Sequence, residues 1–247
     1  MVTKLKLRLW TPILGLAFKA LIFFALFSFM TASGFSPLAV AIFIIGTTIL
    51  YSTPFFNLQS VSIALVTLIL ISVAVSEILF TAVSPLWLSI ILTGLFFIIL
   101  GIKNVIFLHR EAWYHILYFG LLYLLLITFF LTEKAYYFFF QAVLLGIVSY
   151  MLFREFIRIT GKSEDKKRER GFAGLFAWIL VQWSWVVALL PLTFINAANT
   201  AILLAYIIGE MLHLEVGKTR KKRDVLSRIT LAIVLLIMIF GSAKWSI

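Results

Sequence analysis

The chain has 247 residues, of which 63% are hydrophobic and only 13% are charged, and its mean hydropathy is +1.12. Soluble globular domains are about half apolar and about a quarter charged, so this composition excludes an ordinary soluble domain and predicts a polytopic membrane protein. The absence of cysteine excludes disulfides, thiolate catalysis and cysteine-ligated metals.

Apolar runs long enough to cross a bilayer recur along the whole chain. A transmembrane helix needs about 20 mostly apolar residues. The runs are continuous rather than alternating, which favours an all-α transmembrane helical bundle over a β-barrel. They fall at residues 10 to 31, 36 to 52, 60 to 82, 85 to 101, 114 to 132, 135 to 153, 172 to 192, 197 to 213 and 229 to 244. We therefore predict one integral membrane domain over residues 1–247 with about nine spans, and the shortness of several runs leaves eight or ten open.

The placement of Lys and Arg predicts how these spans are threaded. Cytoplasmic loops of membrane proteins retain Lys and Arg. Of the 21 such residues, Lys134 and Lys244 fall on one side of a nine-span arrangement and Lys19 falls within a span, which leaves 18 on the other side. We predict a cytoplasmic amino terminus, an outer carboxyl terminus and a location in the cell membrane, which is the cytoplasmic membrane if the protein is bacterial. The basic loops 154–170 and 215–228 are then cytoplasmic, where they contact anionic lipid headgroups.

A short internal echo relates the first two pairs of spans. Ser36-Pro37-Leu38 and Ser84-Pro85-Leu86 are each followed, nine residues after the proline, by a glycine. Ser before Pro is an ordinary helix start. The echo therefore fits either convergence or a duplicated helical hairpin, over residues 10–52 and 60–101, of the kind found in transporters.

The eighth span has a face of small residues and a separate polar face. Its small residues recur every four positions and predict close packing on a neighbouring helix or on a partner protein: Ala197, Ala201, Ala205 and Gly209. Its polar residues follow one another at helical spacing and form a single stripe: Asn199, Tyr206, Glu210 and His213. A polar stripe facing acyl chains is unfavourable, so we expect it to face protein or water.

Glu210 is an acid near the carboxyl end of its helix, where the helix dipole disfavours negative charge. Lys19 is the only basic residue inside a span and lies at comparable depth, about nine residues into the first span. We predict a pair between Lys19 and Glu210, and the alternative is that each side chain reaches the interface separately.

The seventh span places two indoles around an amide on one helix face. Trp178, Gln182 and Trp185 have the spacing i, i+4, i+7. Indole faces can hold an apolar or cationic ligand, although aromatic stripes are also typical of helix packing. We predict that the two tryptophans line a ligand pathway that also includes Gln182.

A cytoplasmic His and Glu site is the alternative chemistry that the sequence offers. His109, Glu111 and His115 lie close together in sequence, and Glu210 with His213 has half of the pattern of a carboxylate-bridged metal site. No second Glu-x-x-His occurs, so we assign no metal ligands and no catalytic residues. There is no phosphate-binding loop, HExxH or GxSxG motif, so we assign no cofactor, and nucleic acid is a poor fit as a partner.

Three functions remain open from the sequence. The leading one is binding or translocation of a small or amphipathic molecule, with proton coupling through Glu210 and His213, because an unperturbed histidine titrates near about 6.5. The second is an intramembrane lipid-modifying enzyme that uses His109, Glu111 and His115. The third is a scaffold in a larger membrane complex, bound or self-associated through the small face of the eighth span. We consider an enzyme less consistent with the sequence than a binding protein.

Overall fold

The computed structural model describes residues 2–53, 61–79, 85–104, 109–132, 138–160, 166–216 and 222–242. Within these ranges the chain forms nine α-helices and no strand. The helices are α1 (Val2–Ala32), α2 (Pro37–Ser52), α3 (Ser62–Leu79), α4 (Pro85–Lys103), α5 (Arg110–Leu131), α6 (Phe138–Thr160), α7 (Lys166–Ala188), α8 (Phe194–Val216) and α9 (Lys222–Ser242).

Five segments of these helices are long and apolar enough to cross a membrane. They are Ile13–Ala32, Leu86–Lys103, Arg110–Leu131, Lys166–Ala188 and Phe194–Met211. Shorter apolar helices occur at Pro37–Ser52, Ser62–Ala74 and Ile229–Met238. The all-helical prediction is therefore confirmed for the described residues, whereas the count of nine spans and the threading stay predictions.

The outer surface of the helices is apolar, as hydrocarbon requires. Leu38 on α2 is 72% exposed, Phe139 on α6 is 75% exposed and Leu189 just after α7 is 86% exposed. Large exposed hydrophobic surfaces are rare on soluble monomers and are expected where lipid covers a protein. The chain has the features of a membrane-embedded helical protein.

The chain divides into two compact units, Met1–Leu117 and Tyr118–Ile247. We call them unit 1 and unit 2. In unit 1, α1 packs against both α2 and α4, and α3 packs against α4. Phe23 of α1 stacks on Phe96 of α4 with ring centroids 4.5 Å apart, and Phe43 of α2 lies 5.4 Å from Phe23. These rings form the centre of unit 1.

The two helices of the sequence echo both begin at their prolines. Ser36 is the N-cap of α2, where its side chain accepts a hydrogen bond from the Ala39 N–H. Ser84, the corresponding residue before α4, lies outside the described residues. The two glycines of the echo differ: a Cβ at Gly46 would lie 2.7 Å from Cδ1 of Leu26, whereas a Cβ at Gly94 would have no neighbour within 4 Å. A duplicated hairpin stays a prediction.

In unit 2, α6 packs on α7, α7 on α8 and α8 on α9. Phe153 of α6 and Phe176 of α7 stack with centroids 4.1 Å apart. Tyr118 of α5 stacks on Phe156 of α6 at 4.6 Å. This aromatic cluster joins three helices and fixes α6 against α7, which positions the groove described next.

Candidate functional site

A groove of about 440 Å³ runs between α6 and α7. Its α6 wall consists of small and apolar residues, namely Phe139, Ala142, Val143 and Gly146. Its α7 wall consists of Ala177, Trp178, Val181, Gln182 and Trp185. The volume falls within the range of small-molecule sites, about 300 to 1,000 Å³. The structure therefore brings the predicted residues Trp178, Gln182 and Trp185 together along one groove.

The width of the groove follows from small residues on α6. A Cβ on Gly146 would lie 3.3 Å from Cγ2 of Val181, so a larger residue there would press α6 and α7 apart. Trp178 is 63% exposed and Trp185 is 41% exposed, so neither indole is packed in the core. The groove is open on one side and walled by indoles.

Polar groups occur at two points around this groove. The side chain of Gln182 is exposed. Oε1 of Gln141, a neighbour of the groove residue Ala142, is buried and has no hydrogen-bond partner among the described residues. An amide in hydrocarbon is costly unless another group satisfies its hydrogen bonds. Of the two amides only Gln182 lines the groove, and it is suited to orient the polar end of a bound amphipathic molecule.

The small face of α8 is buried within the chain. Ala197 is 4% exposed, and Ala201 and Ala205 are fully buried. Gly209 is also buried, and a Cβ there would lie 3.7 Å from Cε2 of Phe153 on α6. This face packs inside unit 2, as the spacing predicts, and binding of a partner helix there stays a prediction.

The polar stripe of α8 begins against α5. The hydroxyl of Tyr123 on α5 donates a 2.8 Å hydrogen bond to Oδ1 of Asn199. Further along, the ring of Tyr206 lies 5.5 Å from the ring of Phe119, also on α5. The first two members of the stripe therefore each contact α5.

Glu210, the next member of the stripe, is 5% exposed. The side chain of His213 lies outside the described residues. Two further carboxylates of unit 2 are buried: Glu155 on α6 at 1% exposure and Glu169 in the first turn of α7 at 7%. Glu155 forms an ion pair with Arg158, with 3.5 Å between Oε1 and Nη2, and Glu169 is favoured at its position by the helix dipole.

Lys19 lies in unit 1 and contacts the carboxyl end of α2. Its Nζ donates to the carbonyl of Leu50 at 3.2 Å, to the carbonyl of Thr53 and to Oγ1 of Thr53 at 3.1 Å. Glu210 belongs to unit 2. The predicted pair between Lys19 and Glu210 therefore stays a prediction, and the structure gives Lys19 a separate role as a cap of α2.

The residues of the alternative enzymatic site lie around the start of α5. His109 and Glu111 are exposed, and Nδ1 of His115 donates to the backbone carbonyl of Glu111 at 2.7 Å. In the described part of the chain, no group of three or more His, Asp or Glu side chains is arranged to hold a metal ion. The described geometry provides no converging set of catalytic groups at this place.

Sequence reasoning missed Lys103, which it counted as a loop residue. In the structure Lys103 is the last residue of α4, is 3% exposed and donates to the backbone carbonyl of Tyr51. Its Nζ also lies 4.2 Å from the centroid of the Tyr51 ring. A lysine at the end of an apolar run is normally a topology signal, so only the contact between Lys103 and Tyr51 distinguishes it.

No protein-family model, curated protein or solved structure matches this chain.

Proposed function

We propose that the chain binds a small amphipathic molecule in the groove between α6 and α7 and moves it across the membrane. The observation that supports binding is a 440 Å³ groove with two exposed indoles on one wall. Its apolar lining accepts a hydrocarbon chain, and the indole faces attract a cationic head group through cation–π interaction. The amide of Gln182 lies between the two indoles in sequence and supplies hydrogen bonds to the same head group.

Binding is tested by filling the groove without disturbing the α6 and α7 contact. Val143 and Ile147 are both exposed on α6, at 44% and 51%, but only Val143 lines the groove. We expect Val143→Phe to weaken binding of decyltrimethylammonium to the chain in lipid nanodiscs by about tenfold, which corresponds to the loss of roughly one good contact. Ile147→Phe is the matched control and should bind as the unchanged protein does. Equal binding by both variants would place the ligand elsewhere.

The head-group contact is tested with a second ligand of the same length. Decanol has the same hydrocarbon chain but no positive charge. If the indoles bind the cationic head, Trp178→Leu should weaken binding of decyltrimethylammonium more than binding of decanol, because cation–π attraction is worth about 0.5 to 2 kcal/mol. An equal loss of affinity for both ligands would mean that the indoles provide only apolar contact.

Movement across the membrane is proposed to be coupled to protons through Glu210. The support is that Glu210 is buried on the same stripe as Asn199 and Tyr206, both of which contact α5. Glu210→Gln preserves the shape of the side chain and removes its titration, so we expect it to abolish proton-coupled flux of decyltrimethylammonium in liposomes while binding in the groove is retained. Unchanged flux in this variant would remove Glu210 from the pathway.

A further inference from the structure

Two lysines from different helices meet at the carboxyl end of α2. Lys19 of α1 donates to Leu50 and Thr53, and Lys103 of α4 donates to Tyr51. We call Lys19 and Lys103 the two-lysine cluster. Nothing in the proposed transport function uses this cluster, because the α6 and α7 groove belongs to unit 2.

Capping of α2 accounts for the position of these lysines but not for their charge. The last carbonyls of a helix have no donors within the helix, and the helix end is equivalent to about half a negative charge. Two ammonium groups satisfy the carbonyls and leave more than one positive charge uncompensated. A buried cation is costly unless an anion is near it.

Unit 1 provides few anions of its own. Glu77 and Glu111 are its two carboxylates. Glu111 is exposed in the first turn of α5. Glu77 lies 15 residues after Ser62, the start of α3, so the helix rise carries it about 22 Å from the end of α3 that follows α2. Among the described contacts, neither Lys19 nor Lys103 forms an ion pair with a carboxylate.

The cluster is accessible from one side and lies at the depth of lipid phosphates. Lys103 is buried, whereas Lys19 is partly exposed. Thr53, whose Oγ1 accepts a hydrogen bond from Lys19, is also partly exposed. Lys103 is the last residue of the apolar segment Leu86–Lys103, whose 18 residues extend about 27 Å, close to the thickness of the hydrocarbon core. A helix that crosses the membrane over this segment places Lys103 at the headgroup region.

We propose that the two-lysine cluster binds the phosphate group of an anionic lipid. Lysine is a common phosphate binder as a compact point charge, and a lipid phosphate at this depth neutralises the charge that unit 1 leaves unbalanced. Free phosphate shares this chemistry, but it lacks acyl chains to hold it at the end of a helix in the membrane.

The test uses the full chain, purified in an uncharged detergent. Phosphatidic acid, phosphatidylcholine with the same acyl chains, and inorganic phosphate are added separately, and the midpoint of thermal unfolding is measured. We expect phosphatidic acid to raise the midpoint, and phosphatidylcholine and inorganic phosphate to leave it nearly unchanged. An equal increase with inorganic phosphate would overturn the assignment to a lipid.

Variants separate ligand binding from helix capping. Lys19→Met should raise the concentration of phosphatidic acid needed for half of the effect about fivefold, since each basic residue near a membrane surface contributes a factor of that size. Lys19→Arg keeps the charge and should restore the affinity. Lys166→Met removes an exposed charge at the start of α7 and should change the affinity little.

Two results would contradict the proposal. In the first, Lys19→Met lowers the unfolding midpoint without lipid but leaves the lipid concentration dependence unchanged, which means that the cluster only caps α2. In the second, Glu210→Gln alters the affinity for phosphatidic acid, which means that Glu210 rather than a lipid neutralises Lys19. Loss of decyltrimethylammonium binding in groove variants has no bearing on these results, so the two proposals fail separately.

Discussion

The two units bury charges of opposite sign. Unit 1 places Lys103 in its interior at 3% exposure, with Lys19 beside it, whereas unit 2 buries the carboxylates Glu155, Glu169 and Glu210. The cations of unit 1 meet helix carbonyls, and the carboxylate of Glu155 meets the guanidinium of Arg158.

The difference separates the ligands that we propose for the two units. Unit 2 contains eight of the ten acidic residues together with most of the basic ones, and among its described residues Glu155 pairs with Arg158. Its exposed feature is an apolar groove, which suits an amphipathic ligand. Unit 1 has an apolar core in which Lys103 is buried beside the partly exposed Lys19, and we propose an anionic lipid headgroup as its ligand.

Reversing one charge in unit 1 should have the largest effect. Lys103→Glu would place a carboxylate against the carbonyl of Tyr51 and the negative end of α2, and mispaired buried charges cost about 3 to 5 kcal/mol. The free energy of unfolding, measured by titration with sodium dodecyl sulfate in mixed micelles, should fall by that amount. Lys166→Glu at an exposed position should change it by less than about 0.5 kcal/mol. Equal stability of the two variants would show that Lys103 is not held in the interior.

Truncation of a core phenylalanine should lower the free energy of unfolding by a similar amount in the two units, although their buried charges differ. Phe96 and Phe153 are both fully buried, and each stacks on a phenylalanine of another helix. Truncation to alanine leaves a cavity of roughly 100 Å³, which costs about 2 kcal/mol at about 24 cal/mol per Å³. The transfer of the side chain contributes little to this cost, because hydrocarbon surrounds the ring in both the folded and the unfolded state.

Unfolding in mixed micelles measures both truncations, with Phe140→Ala as the control because Phe140 is 68% exposed on α6. The control should be nearly neutral. A loss confined to one unit would mean that the other is held together by something other than its aromatic core.

Overpacking of α8 should have the smallest effect on stability. Ala205 is fully buried in unit 2, so Ala205→Leu should separate α8 from its neighbour at a cost of about 1 to 2 kcal/mol, near the lower end for added methylenes. Ala41→Leu, at an exposed position on α2, is the matched change in unit 1. Unfolding free energies that drop equally for both variants would argue against a packed seam on α8.

Much of the fold could be predicted from the sequence because hydrophobic runs and helix starts are local signals. Pro37 and Pro85 mark the first residues of α2 and α4, and the four-residue spacing of Ala197, Ala201 and Ala205 identifies a face that the structure buries. Each of these features depends on the sequence of a single helix.

The site could be predicted only in part because it depends on how helices are paired. Trp178, Gln182 and Trp185 share a face by spacing alone, but the α6 wall opposite them has no signal other than small residues such as Gly146. The contact of Lys103 with Tyr51 joins residues 52 positions apart. No local pattern specifies a contact of that kind, and the same holds for the capping of α2 by Lys19.

The most direct measurement of ligand binding in the groove uses the absence of cysteine from the chain. A nitroxide attached at Val143→Cys reports on the groove, and one at Ile147→Cys reports on the neighbouring exposed face of α6. In lipid nanodiscs, decyltrimethylammonium should reduce the mobility of the label at position 143 and leave the label at position 147 unchanged. Adding Gln182→Leu should shift the response at position 143 to higher ligand concentration. The same change in mobility at both positions, or none at position 143, would contradict binding in the α6 and α7 groove.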